Sequence, residues 1–486
     1  MVLDTDMRNR LFKLTLLLAW LTPLLLAADI EYGGKTFFAL PRFDSVRCQE
    51  LALWHTHTTT DVGNPYGFSF QIVPFLNKGV RTENIAQHFT YKESELITIA
   101  SDRFNQKSDR VLPYHAIKHN TATDATEESA TIKLLPHFSN VGATFSLFYD
   151  AHDACPGVAL SFQLPLFYTT ATLNQSGATK SIEQYFNGLY SQTSPIQAAL
   201  MYGKFGQHRF TVCGPLSISL RYNLIENKHN YLTMYAGAGI TLKKNPIHHF
   251  LFDYHSTVFD HHKLIGGFEA GATIFRDNGV TVDITVQTNY HYAFKGKENR
   301  LLAVLDDDGS APVYSSYLMG AEHSVAGVFP LANILHRTVE RAGCHQADIA
   351  CMGEISWQGC TASFGYELFC REQERIAVDE WPASTYAIVS PTYATSAPFT
   401  DATSTGILDE DHTILLSHRF LTLDMINVVP ATSPAQAGCR ISGGVGYNTQ
   451  FYGIPVGFGG GLSYTHGFNN ATASLLGCWL KGIVSF

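Results

Sequence analysis

The stretch that decides the fold is Val280–Phe294, with the sequence Val-Thr-Val-Asp-Ile-Thr-Val-Gln-Thr-Asn-Tyr-His-Tyr-Ala-Phe. Even-numbered positions are mostly apolar or aromatic, and odd-numbered positions are mostly polar. Because side chains alternate across a β-strand, such a strand separates an apolar surface from a polar one. It is longer than the roughly 5–6 residues usual in soluble proteins, and longer than the about 9–11 tilted residues that cross a bilayer. The pattern favours a membrane-spanning strand.

A similar strand precedes it across a predicted hairpin turn. Leu264–Ile274 alternates in the same way, with Glu269 and Thr273 on its polar side. Asp277-Asn278-Gly279 joins the two strands, and Asn-Gly favours a tight hairpin because both residues tolerate positive φ.

The same two-residue period recurs along the chain. It is found in Tyr66–Ile72, Ile132–Phe138, Val141–Tyr149, Val158–Leu166, Leu216–Tyr222, Leu232–Leu242, Ala362–Cys370, Ile441–Phe451 and Val456–Phe468. The last of these has a glycine-rich polar side, which suits strong curvature or close backbone approach. Between 295 and 439 the candidates are 313–320, 355–370, 385–393 and 412–428. Together these segments predict about 12–14 spanning strands, although a soluble β-sandwich also alternates.

The N-terminus has the features of an export signal. Arg8, Arg10 and Lys13 precede the uncharged run Leu14–Leu26, and cleavage is expected after Ala28. The alternative is an anchor helix, but this run would reach only about 20 Å, short of a bilayer core of about 30 Å. We therefore expect a signal peptide at 1–28, a periplasmic or plug-like segment at 29–60, and a barrel at 61–486.

The last strand carries the most specific feature. Residues 473–486 end in phenylalanine, and counting back by twos places Phe486, Val484 and Leu480 on one face. This resembles the C-terminal strand of bacterial outer-membrane β-barrels, where a terminal aromatic on an amphipathic strand is read by the barrel-assembly machinery. Gly482 departs from that pattern, since a larger apolar residue is commoner there.

The resemblance covers nearly the whole mature chain. It implies an all-β fold, a transmembrane antiparallel up-and-down β-barrel with long outer loops. It also implies the outer membrane of a Gram-negative-type bacterium after export, with membrane lipid and the barrel-assembly machinery as partners. A narrower similarity, carried by Asn84–Phe89 and Leu200–Phe205, is to uncharacterised barrels of intracellular, protist-associated bacteria of the Dependentiae type.

The position of the last strand sets the expected topology. If that strand ends in the periplasm, the turns at Gly453 and at Asp277–Gly279 lie on the same inner side, as short turns should. Residues 169–208, 244–262 and 295–312 then become outer loops. The polar stretch 77–128 has three interpretations that the sequence does not separate: a periplasmic segment, a plug or an extra hairpin.

Composition and motifs exclude several function classes. The 486 residues carry a net charge of −9, which gives no support to nucleic-acid binding. The sequence contains no Gly-x-Ser-x-Gly elbow, P-loop or His-Glu-x-x-His. We therefore predict no enzyme and no cofactor, with a barrel-wall hydrolase as the alternative.

The polar strand faces predict a lumen. The residues expected to line it are Glu269, Thr273, Thr281, Asp283, Thr285, Gln287, Asn289, His291, Arg440, Asn448, Gln450 and Lys481. Both charge signs occur, so no ion selectivity follows. The first hypothesis is a passive diffusion channel or porin-like transporter of small solutes. The alternatives are a structural or host-contact barrel acting through its loops, and a transporter of hydrophobic substrates plugged by residues 29–60. The sequence does not predict the oligomeric state.

Two groups of residues suggest other chemistry. Histidines and aspartates are dense between His248 and His262, which could bind zinc or copper, but a solvated loop is the preferred interpretation, so no metal is predicted. Trp54–His57 is a weaker case of the same kind. Nine cysteines suggest one or two disulfides among Cys344, Cys351, Cys360 and Cys370, whereas Cys370 and Cys478 also fall on lipid faces.

Overall fold

Twelve long strands form one closed antiparallel sheet in the computed structural model. They are β1 (Phe68–Val80), β2 (Ser129–Asp150), β3 (Val158–Ser176), β4 (Leu216–Glu226), β5 (Asn230–Ile240), β6 (Lys263–Asp277), β7 (Val280–Ala293), β8 (Cys344–Trp357), β9 (Cys360–Arg371), β10 (Gln436–Phe451), β11 (Ile454–Gly467) and β12 (Ser474–Ser485). Each strand pairs with the next in sequence, and β12 pairs with β1. This is the predicted up-and-down barrel.

The structure describes residues 35–36, 48, 51, 67–89, 96–101, 110–112, 129–151, 154–177, 201–204, 206–227, 229–242, 261–305, 319–322, 329–382, 384–388, 419–469 and 472–486. The expected signal peptide lies outside these residues. No helix within these ranges is long and apolar enough to cross a membrane.

The C-terminus closes the barrel. Phe70 lies opposite Val484, and the hydroxyls of Ser69 and Ser485 are 3.0 Å apart. The Phe486 amide donates to the Phe68 carbonyl at 2.8 Å. Closure leaves no unpaired edge, as a sheet in lipid requires.

The outer surface of the barrel is apolar. Val445, Leu462 and Leu480 are 70%, 64% and 64% exposed. Their neighbours on the same strands, such as Ser442, Ser463 and Lys481, are buried inside. Exposed apolar belts of this kind are stable in lipid and costly in water.

The two ends of the barrel differ. Five short connections, after β2, β4, β6, β8 and β10, lie at the end where the chain terminates, which we call the short-turn end. Three are two-residue turns with positive φ at both positions: Asn278-Gly279, Gln358-Gly359 and Tyr452-Gly453. The Asn-Gly hairpin and the shared side of these turns are confirmed. All six remaining connections lie at the opposite, long-loop end.

Two strand predictions were wrong. The candidate 355–370 is a hairpin, with β8 and β9 on either side of Gln358-Gly359. Ile132–Phe138 and Val141–Tyr149 form the single strand β2. The apolar side chains of β2 point inward in its first half and outward in its second half. Ile132 and Phe138 are buried inside the barrel, whereas Val141 and Leu147 are exposed on its outer surface.

The loops after β7 and β9 fold together at the long-loop end. The first contains strands Gly296–Leu301, Ala303–Val304, Met319–Glu322, Phe329–Pro330 and His336–Arg341, with helix α2 (Ala332–Leu335). The second contains strands Ile376–Ala377, Tyr386–Ile388, Arg419–Phe420 and Ile426–Asn427, with 3-10 turns at Leu423–Met425 and Val429–Ala431. We call the described residues of 296–341 and 376–431 the mouth plug. The candidates 313–320, 385–393 and 412–428 therefore do not span the barrel.

The mouth plug has its own apolar core. Leu302, Leu335 and Leu421 are fully buried, and they belong to one cluster with Ile132 and Phe138 on the inner wall of β2. Each such side chain contributes about 1.5–3 kcal/mol by leaving water. This packing joins the plug to the barrel and fills the lumen at the long-loop end.

The described residues of 77–128 also lie at this end. Helix α1 (Thr82–His88) follows β1, and Ile85, Ala86 and Phe89 are fully buried in the same cluster. Leu96–Ser101 pairs with the start of β2, and Arg110–Leu112 pairs with Leu96–Ser101. A third short strand, Gly206–Cys213, pairs antiparallel with β3. The described residues of this stretch therefore lie at the end opposite the short turns, whereas a periplasmic segment was expected on the side of those turns.

Candidate lumen site and its closure

Most residues predicted to line the lumen are buried within the barrel. The buried ones are Glu269, Thr285, Gln287, Asn289, His291, Arg440 and Lys481. Thr273, Thr281, Asp283 and Asn448 are half-buried, and Gln450 is exposed beside the short turn after β10. The structure brings Thr273 and Asp283 together, since the Thr273 hydroxyl donates to the Asp283 carboxylate at 2.6 Å.

The first polar cluster centres on Glu269. Its Oε2 accepts a hydrogen bond from Arg221 Nη2 at 2.5 Å, and its Oε1 accepts one from the Tyr231 hydroxyl at 3.0 Å. Arg221 also stands 5.4 Å from the centre of the Tyr235 ring. Arg221 lies on β4 and Glu269 on β6, so the pair reaches across β5. Buried charges need such partners, because each alone would carry a large desolvation cost.

Two glycines of β6 make room for this cluster. A side-chain carbon at Gly271 would lie 2.0 Å from the Tyr231 ring, and one at Gly267 would lie 2.6 Å from the Tyr235 hydroxyl. The register places each glycine directly opposite its tyrosine. The glycines on this polar face therefore serve close approach of aromatic rings.

A second cluster continues along β7 to β8. The Tyr235 hydroxyl bonds to the Asn289 side chain, and Asn289 Nδ2 donates to Asp348 Oδ1 at 2.7 Å. His291 Nε2 is 3.6 Å from the other Asp348 oxygen. On the next two strands, β9 and β10, Arg440 is 3.5 Å from Glu367.

A cavity lies beside the cluster around Glu269. Its volume is about 90 Å³, room for about three waters at the roughly 30 Å³ that each occupies in the liquid. Its wall comes from the inner faces of β1 to β7 and includes Gln71, Ser161, Ser219, Arg221 and Glu269.

The N-terminal segment reaches into the lumen. Leu51 lines the cavity, and Cys48 lies against the opposite wall, with its thiol 3.9 Å from the Cys351 carbonyl. Both are about 95% buried. At the long-loop end, Thr36 Oγ1 donates to the Leu301 carbonyl at 2.6 Å and Lys35 Nζ donates to the Val429 carbonyl at 3.1 Å. Of the described residues in this segment, Lys35 and Thr36 are thus bonded to the mouth plug, and Cys48 and Leu51 are packed at mid-lumen.

Five buried charged or titratable residues lock the mouth plug. This mouth network comprises His261, Glu298, Arg300, Arg341 and Glu374. Arg300 Nη2 donates to Glu298 at 2.6 Å and to Glu374 at 3.3 Å, while Arg341 Nε lies 3.1 Å from Glu298 and His261 Nε2 lies 2.9 Å from it. The network joins three different outer loops.

The charges set the titration of Glu298. Burial raises the pKa of the Glu298 carboxyl, but Arg300, the hydrogen bond from His261, and Arg341 outweigh it and hold that pKa well below its usual range. A carboxyl with a lowered folded-state pKa stabilises the fold above its unfolded pKa. That stability is lost as pH falls through the folded-state pKa.

We expect the contribution of Glu298 to plug stability to be full at pH 7 and to persist down to about the ordinary glutamate pKa of about 4.3. It should decline only below that. The measurement is amide hydrogen exchange of residues 296–301 in wild type and in Glu298→Gln. At each pH, the difference in protection between the two proteins gives the contribution of Glu298 to plug stability. A difference that disappears between pH 7 and pH 5 would contradict the assigned network.

Several functional residues escaped the sequence prediction. Arg221, Tyr231 and Tyr235 lie on the polar sides of strands that were predicted, so alternation could have included them. Asp348 and Glu367 were missed for different reasons. Asp348 fell outside every predicted strand, and Glu367 fell in a segment whose polar face was not assigned.

The histidine-rich stretch from His248 to His262 is largely outside the described residues. This holds for His248, His249 and His255, and also for Trp54–His57. His261 is described and bonds to Glu298 in the mouth network. Among the residues that the structure describes, no group of three or more His, Cys, Asp or Glu side chains could hold a metal ion.

The expected disulfides are not formed. All nine cysteines are described, and all are free thiols. Cys344 begins β8 at the long-loop end and Cys360 begins β9 at the short-turn end, too far apart for a bridge. Cys351 and Cys478 are exposed on the outer surface.

No known protein-family model and no curated protein matches the sequence. Among solved structures, the chain is similar to an outer-membrane channel from Pseudomonas putida F1, at 8% identity and a TM-score of 0.35 over 88% of this chain and 98% of that one. It is also similar to the transport unit of the autotransporter AIDA-I from Escherichia coli, at 6% identity and a TM-score of 0.31 over 90% and 95%. A third is the toluene transporter TbuX from Ralstonia pickettii, at 8% identity and a TM-score of 0.26 over 94% and 97%. The strand pairing itself establishes the barrel.

Proposed function

We propose that this protein is a gated transport barrel of a bacterial outer membrane, which carries small polar solutes through its lumen. The observation that carries the proposal is a polar cavity inside a closed barrel whose long-loop end is occupied by a folded plug. A barrel serving only as a scaffold has no need of a buried ion pair beside a polar cavity.

The outer surface supports the membrane location. The apolar belt and the closed sheet meet the two requirements of a strand bundle in lipid. Phe486, Val484 and Leu480 lie on the outward-facing side of β12, where an assembly machinery would meet them, so they keep their expected role as the assembly signal. Export by a signal peptide at 1–28 belongs to the same proposal.

The closure supports a gate. The mouth plug packs an apolar core onto the inner wall, and Leu51 and Cys48 occupy the middle of the lumen. We assign residues 29–60 to a plug-like segment on the contacts of Lys35, Thr36, Cys48 and Leu51. Opening then requires both the plug and this segment to move.

The main alternative is a structural or host-contact barrel with a permanently closed lumen. The compact core of the mouth plug is the observation that favours it. The two functions differ in whether the lumen ever opens.

Recording in a planar bilayer with urea separates them, because urea weakens a loop-built plug before it unfolds a closed barrel. We expect discrete conductance steps in urea that disappear on its removal, while a heat-modifiability gel shows that the barrel stays folded. Silence at every urea concentration that preserves the barrel would favour the closed alternative.

A further inference from the structure

The lumen cavity has the chemistry of a binding site for a neutral, polyhydroxylated solute. Besides Arg221 and Glu269, its polar lining consists of uncharged hydroxyl and amide side chains, among them Gln71, Gln163 and Gln287. Hydroxyls donate and accept, and amides present both functions on one group. A solute rich in hydroxyls can match such a lining, because each of its hydroxyls also donates and accepts.

The charged residues of the cavity neutralise each other. Arg221 and Glu269 are joined at 2.5 Å, and the Tyr231 hydroxyl bonds to the second Glu269 oxygen. A charged or zwitterionic solute could bind strongly only by separating this pair, which would leave a buried charge without its partner. A neutral solute can lie beside the intact pair.

One buried group indicates that something occupies the cavity. Gln71 is 1% exposed and lines the cavity, yet its Oε1 has no hydrogen-bond partner among the described residues. Buried polar atoms are normally bonded, to protein, water or ligand. This oxygen can accept one hydrogen bond from a solute hydroxyl.

The cavity also has apolar surfaces. Leu51 and Ile265 contribute to its lining, and the Tyr235 ring stands at its wall. A sugar ring presents C–H groups between its hydroxyls, and these pack against such surfaces. The small volume of the cavity suits a single compact ring more than an extended chain.

We propose that the cavity binds a neutral sugar or related polyol, held by Gln71 and its neighbouring hydroxyl and amide groups beside the intact Arg221–Glu269 pair. This inference rests on the proposed transport function and names its substrate class.

The test is isothermal titration of the full-length protein in detergent with D-glucose, gluconate, glucosamine and alanine. We expect saturable binding of glucose, and weaker or no binding of the three charged or zwitterionic probes. Gln71→Leu should weaken glucose binding about tenfold, the worth of one hydrogen bond. Gln207→Leu is the matched control and should bind as wild type does, because Gln207 is exposed in the short strand Gly206–Cys213 and does not line the cavity.

No glucose binding, equal or tighter binding of gluconate, glucosamine or alanine, or an unchanged affinity in folded Gln71→Leu would each overturn the inference. The urea recordings are scored separately. A barrel that conducts but does not bind glucose refutes the substrate class and leaves transport standing. A barrel that binds glucose but never conducts refutes transport.

Discussion

Replacing Glu374 by leucine is expected to destabilise the mouth plug by about 3–5 kcal/mol, the usual cost of removing one partner of a buried ion pair. Glu374 is almost fully buried, and its carboxylate lies 3.3 Å from Arg300 and 4.0 Å from Arg341. Its other oxygen accepts the Ser433 amide at 3.1 Å. Leucine would leave Arg300 and Arg341 to share Glu298 and would orphan that amide.

Hydrogen exchange provides the measurement. In Glu374→Leu, the amides of 296–301 and 336–341 should lose protection by a factor of about 100 or more, the equivalent of at least about 2.8 kcal/mol. The strands β9 to β12 should keep theirs. Glu380→Leu is the matched control, because Glu380 is exposed in the same loop. Equal protection in Glu374→Leu and Glu380→Leu would contradict the role given to the mouth network.

Replacing Gly365 by leucine is expected to displace the N-terminal segment from the lumen. A side-chain carbon at Gly365 would lie 2.5 Å from Cys48 Cβ and 2.6 Å from its sulfur. Something must shift, and the rigid barrel wall is less able to move than a segment held by a few contacts. Cys48 should therefore become accessible to solvent.

Thiol labelling with a small water-soluble maleimide, followed by peptide mapping, measures this. Modification of Cys48 should be slow in wild type and at least about tenfold faster in Gly365→Leu, since a protected site reacts only through its minor open state. Gly353→Leu is the matched control, because nothing lies within 4 Å of the added carbon there. If Gly365→Leu folds as a barrel but its Cys48 is modified as slowly as in wild type, the N-terminal segment is not displaced.

Alternation in the sequence predicts the barrel wall but not what fills it. The period of Val280–Phe294 assigns each residue to a face, and Asn289 and His291 do face inward. It cannot show that Asp348 lies opposite Asn289, because that register depends on β8, which follows a connection of fifty residues, 294–343. The pairing of Arg221 with Glu269 across β5 depends on the same long-range geometry.

The mouth plug could not be predicted for a related reason. Its strands are two to six residues long, and they pair between loops far apart in sequence, as Ala303 does with Asn427. Such short strands carry little periodic signal. The inward apolar side chains of β2 and β3, including Phe138 and Leu173, broke the expected pattern because they pack on the plug and its surroundings.

The central claim is that the lumen is a path closed by the mouth plug together with the N-terminal segment. The most direct measurement compares single-channel recordings of the double variant Glu374→Leu/Gly365→Leu with those of Glu380→Leu/Gly353→Leu, both shown folded by heat-modifiable migration. The account predicts long-lived conductance steps for Glu374→Leu/Gly365→Leu in the absence of urea. Under the same conditions, Glu380→Leu/Gly353→Leu should show no conductance steps, as expected for wild type. If Glu374→Leu/Gly365→Leu is folded but shows no more conductance than its control, the claim that the lumen is a closed path is contradicted.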